Sequence, residues 1–406
     1  MNPDKIFELI KKADEVLEGV VHRTPLNYSH SFSKLVGASV YLKLENLQKT
    51  GAFKVRGAYF KIYSVLNEAR KYGVIAASSG NHAQGVAYSA QELGVKATIV
   101  MPETTPPYKV MATKSYGAEV VLHGKVYDDA YAKALELSKK HGSVLIHPFD
   151  DPYVIAGQGT IGLEIARSNP DIDYVIVPVG GGGLISGIAV AIKKVLGSRV
   201  KVIGVEPEAA PKFHESLKRG EPVTIVPKPS LADGVITKTV GKLTLQLVRE
   251  FVDEIYLVDE DSIARAMYLL LERAKLLAEG AGALPLALIL SGRLDVRGKK
   301  VVAVISGGNA DLTTLYRVIL RGLMTEGRIC KLKLALRDVP GMLERVLNKL
   351  AVLKCNIIDV RHDRFSLDIE PGYALVEIVM ETPSKEVKAE LVEKISERGV
   401  KVLGWS

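Results

Sequence analysis

Lys54 stands between Gly51 and Gly57 in the run Thr50-Gly51-Ala52-Phe53-Lys54-Val55-Arg56-Gly57-Ala58, where an irregular stretch gives way to a helical pattern. Val55, Ala58, Tyr59, Ile62, Val65 and Leu66 recur at helical spacing, which predicts a helix over 55–70 with Lys54 in or just before its first turn. The positive end of the helix macrodipole disfavours an ammonium there, so a lowered lysine pKa is expected. A neutral amine is what condensation with a carbonyl requires. On this stretch alone a solvated surface lysine is the better reading, and three further stretches reverse it. Ser78-Ser79-Gly80-Asn81-His82-Ala83-Gln84-Gly85 opens a helix through Ala90. Small residues at a helix start leave N–H groups free for a carboxylate, while an ordinary N-cap by Ser79 or Asn81 is the competing reading. Val179-Gly180-Gly181-Gly182-Gly183-Leu184-Ile185-Ser186-Gly187 also leads into a helix. Four consecutive glycines surrender backbone entropy, as a loop wrapping a phosphate with its N–H groups does, and a plain turn is the alternative. Ser306-Gly307-Gly308-Asn309 exposes one hydroxyl among small neighbours. An amine, a phosphate cradle, a carboxylate nest and a lone hydroxyl together suit a phosphorylated aldehyde cofactor acting on an amino acid.

The elements that would hold these stretches are short apolar runs alternating with amphipathic ones. Strands are expected at 40–44, 74–77, 97–101, 119–122, 144–147, 174–178, 201–205, 254–258 and 300–305. This rhythm predicts open, mostly parallel α/β sheets, whose ligands bind at the carboxyl ends of strands, and the three unusual turns all follow strands. At 406 residues the chain has room for two or three domains. Its net charge of +8 is dispersed, without a run of five or six like charges, so neither nucleic acid nor a membrane surface is the expected partner. Cys330 and Cys355 fit no metal spacing and suit a reducing compartment. With no signal-peptide core and no spanning apolar run, a cytoplasmic protein is expected.

The motifs Lys43-Leu44-Glu45-Asn46-Leu47-Gln48, Gly51 to Ala58, Ser78 to Gly85, Ala156 to Thr160, the glycine run, Gly204 to Pro207, Leu231 to Gly234 and Ser306 to Asn309 follow one another in a recognisable order. In these the chain resembles the fold-type II pyridoxal-phosphate enzymes of the threonine/serine dehydratase group, over about Ile6 to Leu323. The resemblance implies two α/β lobes with pyridoxal 5′-phosphate between them. It casts Lys54 as the Schiff-base lysine and α-proton base, with Phe53 beside the cofactor ring and Asn81 bonded to its 3-oxygen. Ser78, Ser79, Gly80, Asn81 and His82 would surround the substrate carboxylate. Gly180, Gly181, Gly182, Gly183 and Leu184 would hold the phosphate, and Ser306 would face the pyridine nitrogen. The implied reaction is β-elimination of water from L-threonine, giving 2-oxobutanoate and ammonia, with L-serine giving pyruvate.

The nearest rival is a serine racemase of the same fold. Racemases carry asparagine where this chain has Phe149, which favours the lyase, whereas Ser79 matches their second proton donor. Some relatives bind a divalent cation at positions matching Glu206 and Ala210. Lys212 stands where a second carboxylate is expected, so no metal is assigned and a Lys212–Glu206 pair is the alternative. Glu279 is similar to a family glutamate near the cofactor; a helix-end carboxylate is the other reading.

From about Glu326 the pattern becomes β-α-β-β-α-β, a split-βαβ ferredoxin-like unit. Helices are expected over 342–353 and 384–398, and strands around 357–362, 373–380 and 400–403. The turn Asp338-Val339-Pro340-Gly341-Met342-Leu343 makes this region resemble an ACT domain, an amino-acid-sensing module. The resemblance implies an effector held by Asp338, Pro340, Gly341, Met342 and Leu343 facing Asn356 and Ile357 of another copy, with isoleucine the foremost effector. A dimerisation appendage without ligand is the competing reading. The expected organisation is a catalytic region over 1–325 and a regulatory domain over 326–406 in a homo-oligomer, dimer or tetramer. A non-catalytic amino-acid sensor is the reading from a different class.

Overall fold

The structure, a computed structural model, describes residues 2–384, 387–396 and 398–405. The chain divides into two compact units, Met1–Asp311 and Leu312–Ser406. Residues 312–325, expected in the catalytic region, form the helix Leu312–Thr325 and group with the second unit.

The first unit contains two sheets. The larger runs β1 (Leu26–Tyr28), β2 (Ser39–Leu44), β10 (Lys300–Ile305), β7 (Tyr174–Pro178), β8 (Lys201–Pro207) and β9 (Glu254–Val258) in that spatial order, and only β1 is antiparallel to its neighbour. The smaller is wholly parallel, in the order β5 (Glu119–Leu122), β4 (Ala97–Met101), β3 (Val74–Ala77) and β6 (Val144–Leu145). Val, Ile and Ala predominate in β3, β7 and β10, as strands covered on both faces require. The first helix, Pro3–Leu17, is capped by the Asn2 side chain and buries Ile6, Ile10, Ala13 and Leu17 along one stripe.

Two expected elements are shorter than their periodicity suggests. The helix over 55–70 is two helices, Lys54–Ser64 and Leu66–Tyr72, because the Val65 N–H turns back to Ile62 O at 3.2 Å and its φ moves to −122°. β6 stops at Leu145 because His147 Nδ1 accepts from the N–H groups of Phe149 (3.3 Å) and Asp150 (2.9 Å), turning the chain out of the sheet.

After the helix Leu312–Thr325, the second unit has the expected β-α-β-β-α-β order. Its antiparallel sheet runs β12 (Asn356–Asp363), β13 (Tyr373–Glu381), β11 (Ile329–Arg337) and β14 (Val400–Trp405), with helices Met342–Val352 and Val387–Ile395. Residues 385, 386 and 397 of the expected last helix lie outside the described residues. Leu332, Leu334, Val346, Leu350, Val376, Ile378, Leu391 and Ile395 form its core.

Candidate active site

β2, β10 and β7 are parallel neighbours, so the segments leaving their carboxyl ends emerge side by side. These segments carry Lys54, Ser306 and the glycine run. Phe53 N–H donates to Ser306 O (3.1 Å) and Gly308 N–H to Gly51 O (2.8 Å), around a bridge between Ala52 and Gly307. The helix Lys54–Ser64 packs against helices Asn81–Glu92 and Pro152–Ser168 through glycines. A Cβ on Gly85 would lie 3.1 Å from the Lys54 backbone carbon, and one on Gly157 only 2.6 Å from Arg56 O. Lys54 Nζ donates to Pro148 O at 2.9 Å and sits 5.1 Å from the centre of the Phe53 ring. Burial lowers its pKa to about 8 against the opposing pull of Glu279. The expected direction holds, with desolvation as the principal cause.

Ser78, Ser79 and Gly80 form the half-buried turn between β3 and helix Asn81–Glu92. Neither Ser79 nor Asn81 caps that helix: Gly80 is its N-cap residue, without a side-chain cap bond among the described residues, and Ser78 Oγ accepts from Gly80 N–H at 3.2 Å. His82 bonds Ile146 O through Nε2 at 2.9 Å, and burial drops its pKa to about 3, so it is neutral. The helix after the glycine run, Gly183–Leu196, is likewise uncapped by any side chain. A Cβ on Gly181 would come within 2.2 Å of the Phe149 ring and one on Gly182 within 2.4 Å of Phe213. Packing behind the loop therefore demands glycine, while the helix start offers unpaired N–H groups that fit a phosphate. Leu184 and Ser306 are buried.

Asn81 reaches from the small lobe to the large one. Its Nδ2 donates to Glu279 Oε1 at 2.7 Å, and its Oδ1 accepts from Asn309 Nδ2 at 2.9 Å. Glu279 occupies the N-cap position of helix Gly280–Ser291, yet its carboxylate makes no cap bond there. Burial, reinforced by Asp233 and opposed by the Asn81 hydrogen bond, raises its pKa to about 7.

Lys212 and Glu206 are both fully buried, and Lys212 Nζ donates to Glu206 Oε1 (3.0 Å), Val179 O (3.3 Å) and Ala210 O (3.3 Å). Three donors meet three oxygens, so these residues hold an internal ammonium and do not fit a divalent cation. Among the described residues no group of three or more His, Cys, Asp or Glu could hold a metal. Sequence reasoning missed a buried neutral cluster behind Lys54. Arg56 spans Glu45 (2.8 and 2.9 Å) and Glu164 (2.6 and 3.1 Å), and Lys43 pairs with Glu164. Lys43 and Glu45 interrupting an otherwise apolar strand end were the available signal.

In the second unit, Asp338 to Leu343 follow β11, whose last residue Arg337 pairs with Tyr373, while Asn356 pairs with Glu381 at the other end of β13. Within one copy these groups are thus about 27 Å apart at strand rise. Asp338 is bonded by Arg364 Nε (2.9 Å), and Asn356 Nδ2 donates to Glu381 (2.9 Å).

A half-buried lysine of lowered pKa, two uncapped helix starts and a buried hydroxyl at the carboxyl ends of strands suit an enzyme built around a phosphorylated aldehyde. The chain belongs to the pyridoxal-phosphate dependent enzyme family, which matches residues 17–307, and its cofactor is pyridoxal 5′-phosphate. It is 49% identical over 396 residues to the L-threonine ammonia-lyase of Thermotoga maritima, covering 98% of both chains. Among solved structures it is similar to the processed form of threonine deaminase isoform 2 from Solanum lycopersicum (TM-score 0.75, 39% identity, 78% of this chain and 88% of that one). It is also similar to maize serine racemase (TM-score 0.72, 36% identity, 79% and 98%). Among the described residues no helix is long and apolar enough to cross a membrane.

Proposed function

We propose that the chain is an L-threonine ammonia-lyase that converts L-threonine to 2-oxobutanoate and ammonia, and L-serine to pyruvate and ammonia. The observation that carries this is its similarity to an enzyme of that name along 98% of both chains. Pyridoxal phosphate supplies an aldehyde that links to amines and withdraws the electron pair left when the α-proton departs. Lys54 would hold the cofactor through Nζ, and the same amine, when free and neutral, would be the base for the α-proton. The N–H groups of Gly180 to Leu184 would hold the phosphate, Phe53 would lie beside the ring, and Asn81 Nδ2 would serve the 3-oxygen. Ser78, Ser79, Gly80 and His82 seat the carboxylate, with Glu279 steadying Asn81. The Ser306 hydroxyl cannot keep the pyridine nitrogen protonated as a carboxylate would, so loss of the β-hydroxyl competes well against transamination. The water lost in elimination is regained when the enamine product hydrolyses.

The test incubates the protein with L-threonine and L-serine separately, assaying 2-oxo acid and D-amino acid together. Abundant 2-oxobutanoate with little D-isomer is expected. D-serine forming faster than pyruvate would replace the lyase by a racemase with Ser79 as second proton donor, and neither product would leave a sensor.

The second unit is proposed to bind an amino-acid effector, isoleucine foremost, at Asp338, Pro340, Gly341, Met342 and Leu343 of one copy and Asn356 and Ile357 of another. Their separation within one copy and the terminal position of β12 in its sheet support a homo-oligomer, dimer or tetramer. The two free thiols, Cys330 and Cys355, support a cytoplasmic location. Unchanged threonine kinetics and sedimentation in isoleucine would discard the effector.

A further inference from the structure

Asn309 has no part in the roles above, yet its surroundings leave it one arrangement. Its Nδ2 donates to Thr50 O at 2.8 Å and to Asn81 Oδ1 at 2.9 Å. A backbone carbonyl can only accept, so Thr50 O settles which end of the Asn309 amide faces it. Both Nδ2 hydrogens are then spent. Asn81 must meet the second with its oxygen, which turns its own Nδ2 toward Glu279 Oε1 at 2.7 Å and leaves one N–H over. Exchanging the Asn81 oxygen and nitrogen would set N–H against N–H at Asn309 and, wherever Glu279 is ionised, carbonyl against carboxylate. The slot is narrow: a Cβ on Gly51 would lie 2.4 Å from Asn309 Oδ1, and Gly51 has φ +70°, a region glycine favours.

We propose that Asn309 is a positioning residue that locks the Asn81 amide so that its remaining N–H, and not its carbonyl, meets the 3-oxygen of the cofactor. The inference rests on the assignment of Asn81 to that oxygen. It extends the cofactor site to a residue outside direct contact with it, through a relay anchored on the main chain at Thr50.

The experiment titrates apo-protein with pyridoxal phosphate and reads affinity, together with the pH at which the bound cofactor's absorbance changes. Asn309→Ala is expected to weaken binding about fivefold to tenfold, as loss of one hydrogen bond's worth of orientation does. The isosteric Asn309→Asp, which faces both Thr50 O and Asn81 Oδ1 with oxygen, is expected to weaken it further and to raise the absorbance pKa, because the 3-oxygen loses its donor. In an Asn81→Ala background neither change should alter affinity by more than about twofold, since a relay has nothing left to act through. Equal losses in both backgrounds would make Asn309 merely structural and overturn the proposal, as would parental affinity and spectrum in Asn309→Asp. Asn81→Ala with parental affinity would instead remove the Asn81 assignment itself. If Asn309→Ala fails to fold, the isosteric variant carries the same comparison.

Discussion

An amine captures an aldehyde only in its neutral form, so the pH at which Lys54 sheds its proton governs uptake of pyridoxal phosphate by the apo-protein. With that pKa lowered to about 8 by burial, the uptake rate should rise about tenfold per pH unit below 8 and level off above it. A rate still climbing between pH 9 and 10 would mark an ordinary solvated lysine. Glu279 works in the opposite sense. Its carboxyl is raised from 4.5 to about 7 by burial, so between those values the folded protein holds a proton that the unfolded chain has released. Stability is therefore lost as pH rises through that window, by about 3 kcal/mol for a shift of about 2.5 units. Glu279→Gln keeps the shape without the charge, so its apo-protein should be more stable than the parent by up to about 3 kcal/mol at pH 8 and equal to it near pH 4. Urea unfolding at both pH values measures this, and parallel pH profiles would mean that folding leaves the Glu279 pKa unshifted. Lys54 and the glycine run were legible in the sequence because their composition is unusual for their place. The lock on Asn81 was not, because Asn309 lies 228 residues away along the chain and no periodicity links them.

At the scale of elements, the position of Lys54 depends on how closely three helices approach. Gly157 admits the backbone of Arg56 and Gly57 to within a distance that a single methyl would occupy. Gly157→Ala should cost about 1–3 kcal/mol by overpacking, and should slow cofactor uptake because the helix carrying Lys54 is pushed away. Uptake at the parental rate in a destabilised Gly157→Ala would show that the clamp does not set the lysine. The ion cluster behind that helix makes a harder demand. Arg56→Met leaves Glu45 and Glu164 buried with only Lys43 to balance them, and a loss of about 3–5 kcal/mol in denaturant unfolding is expected. Strand positions were readable because buried parallel strands are nearly continuous apolar runs. The break at Val65 and the early end of β6 were not, since each is decided by hydrogen bonds that leave hydrophobic periodicity unchanged.

Over the whole molecule, residues 54, 81, 180–184, 279, 306 and 309 all lie within the first unit; 54, 180–184, 306 and 309 are gathered because β2, β10 and β7 are neighbours in one parallel sheet, while Asn81 arrives from the end of β3 in the smaller sheet. Only that spatial strand order, which sequence patterns do not state, explains why three distant turns share one place. A chain ending at Asp311 keeps every group assigned to the cofactor and substrate, and 79% of the present chain already accounts for 98% of maize serine racemase. Such a fragment should bind pyridoxal phosphate and dehydrate threonine within about threefold of the full chain's kcat, since no group that touches the reacting atoms is removed. Isoleucine should alter the threonine kinetics of the full chain and leave those of the fragment untouched. A difference of effector affinity between two states is all that can shift an enzyme, and the fragment lacks Asp338 to Leu343 and Asn356 to Ile357. A well-folded fragment that binds cofactor but turns over nothing would place part of the working site in the second unit. A fragment still responsive to isoleucine would move the effector onto the catalytic unit.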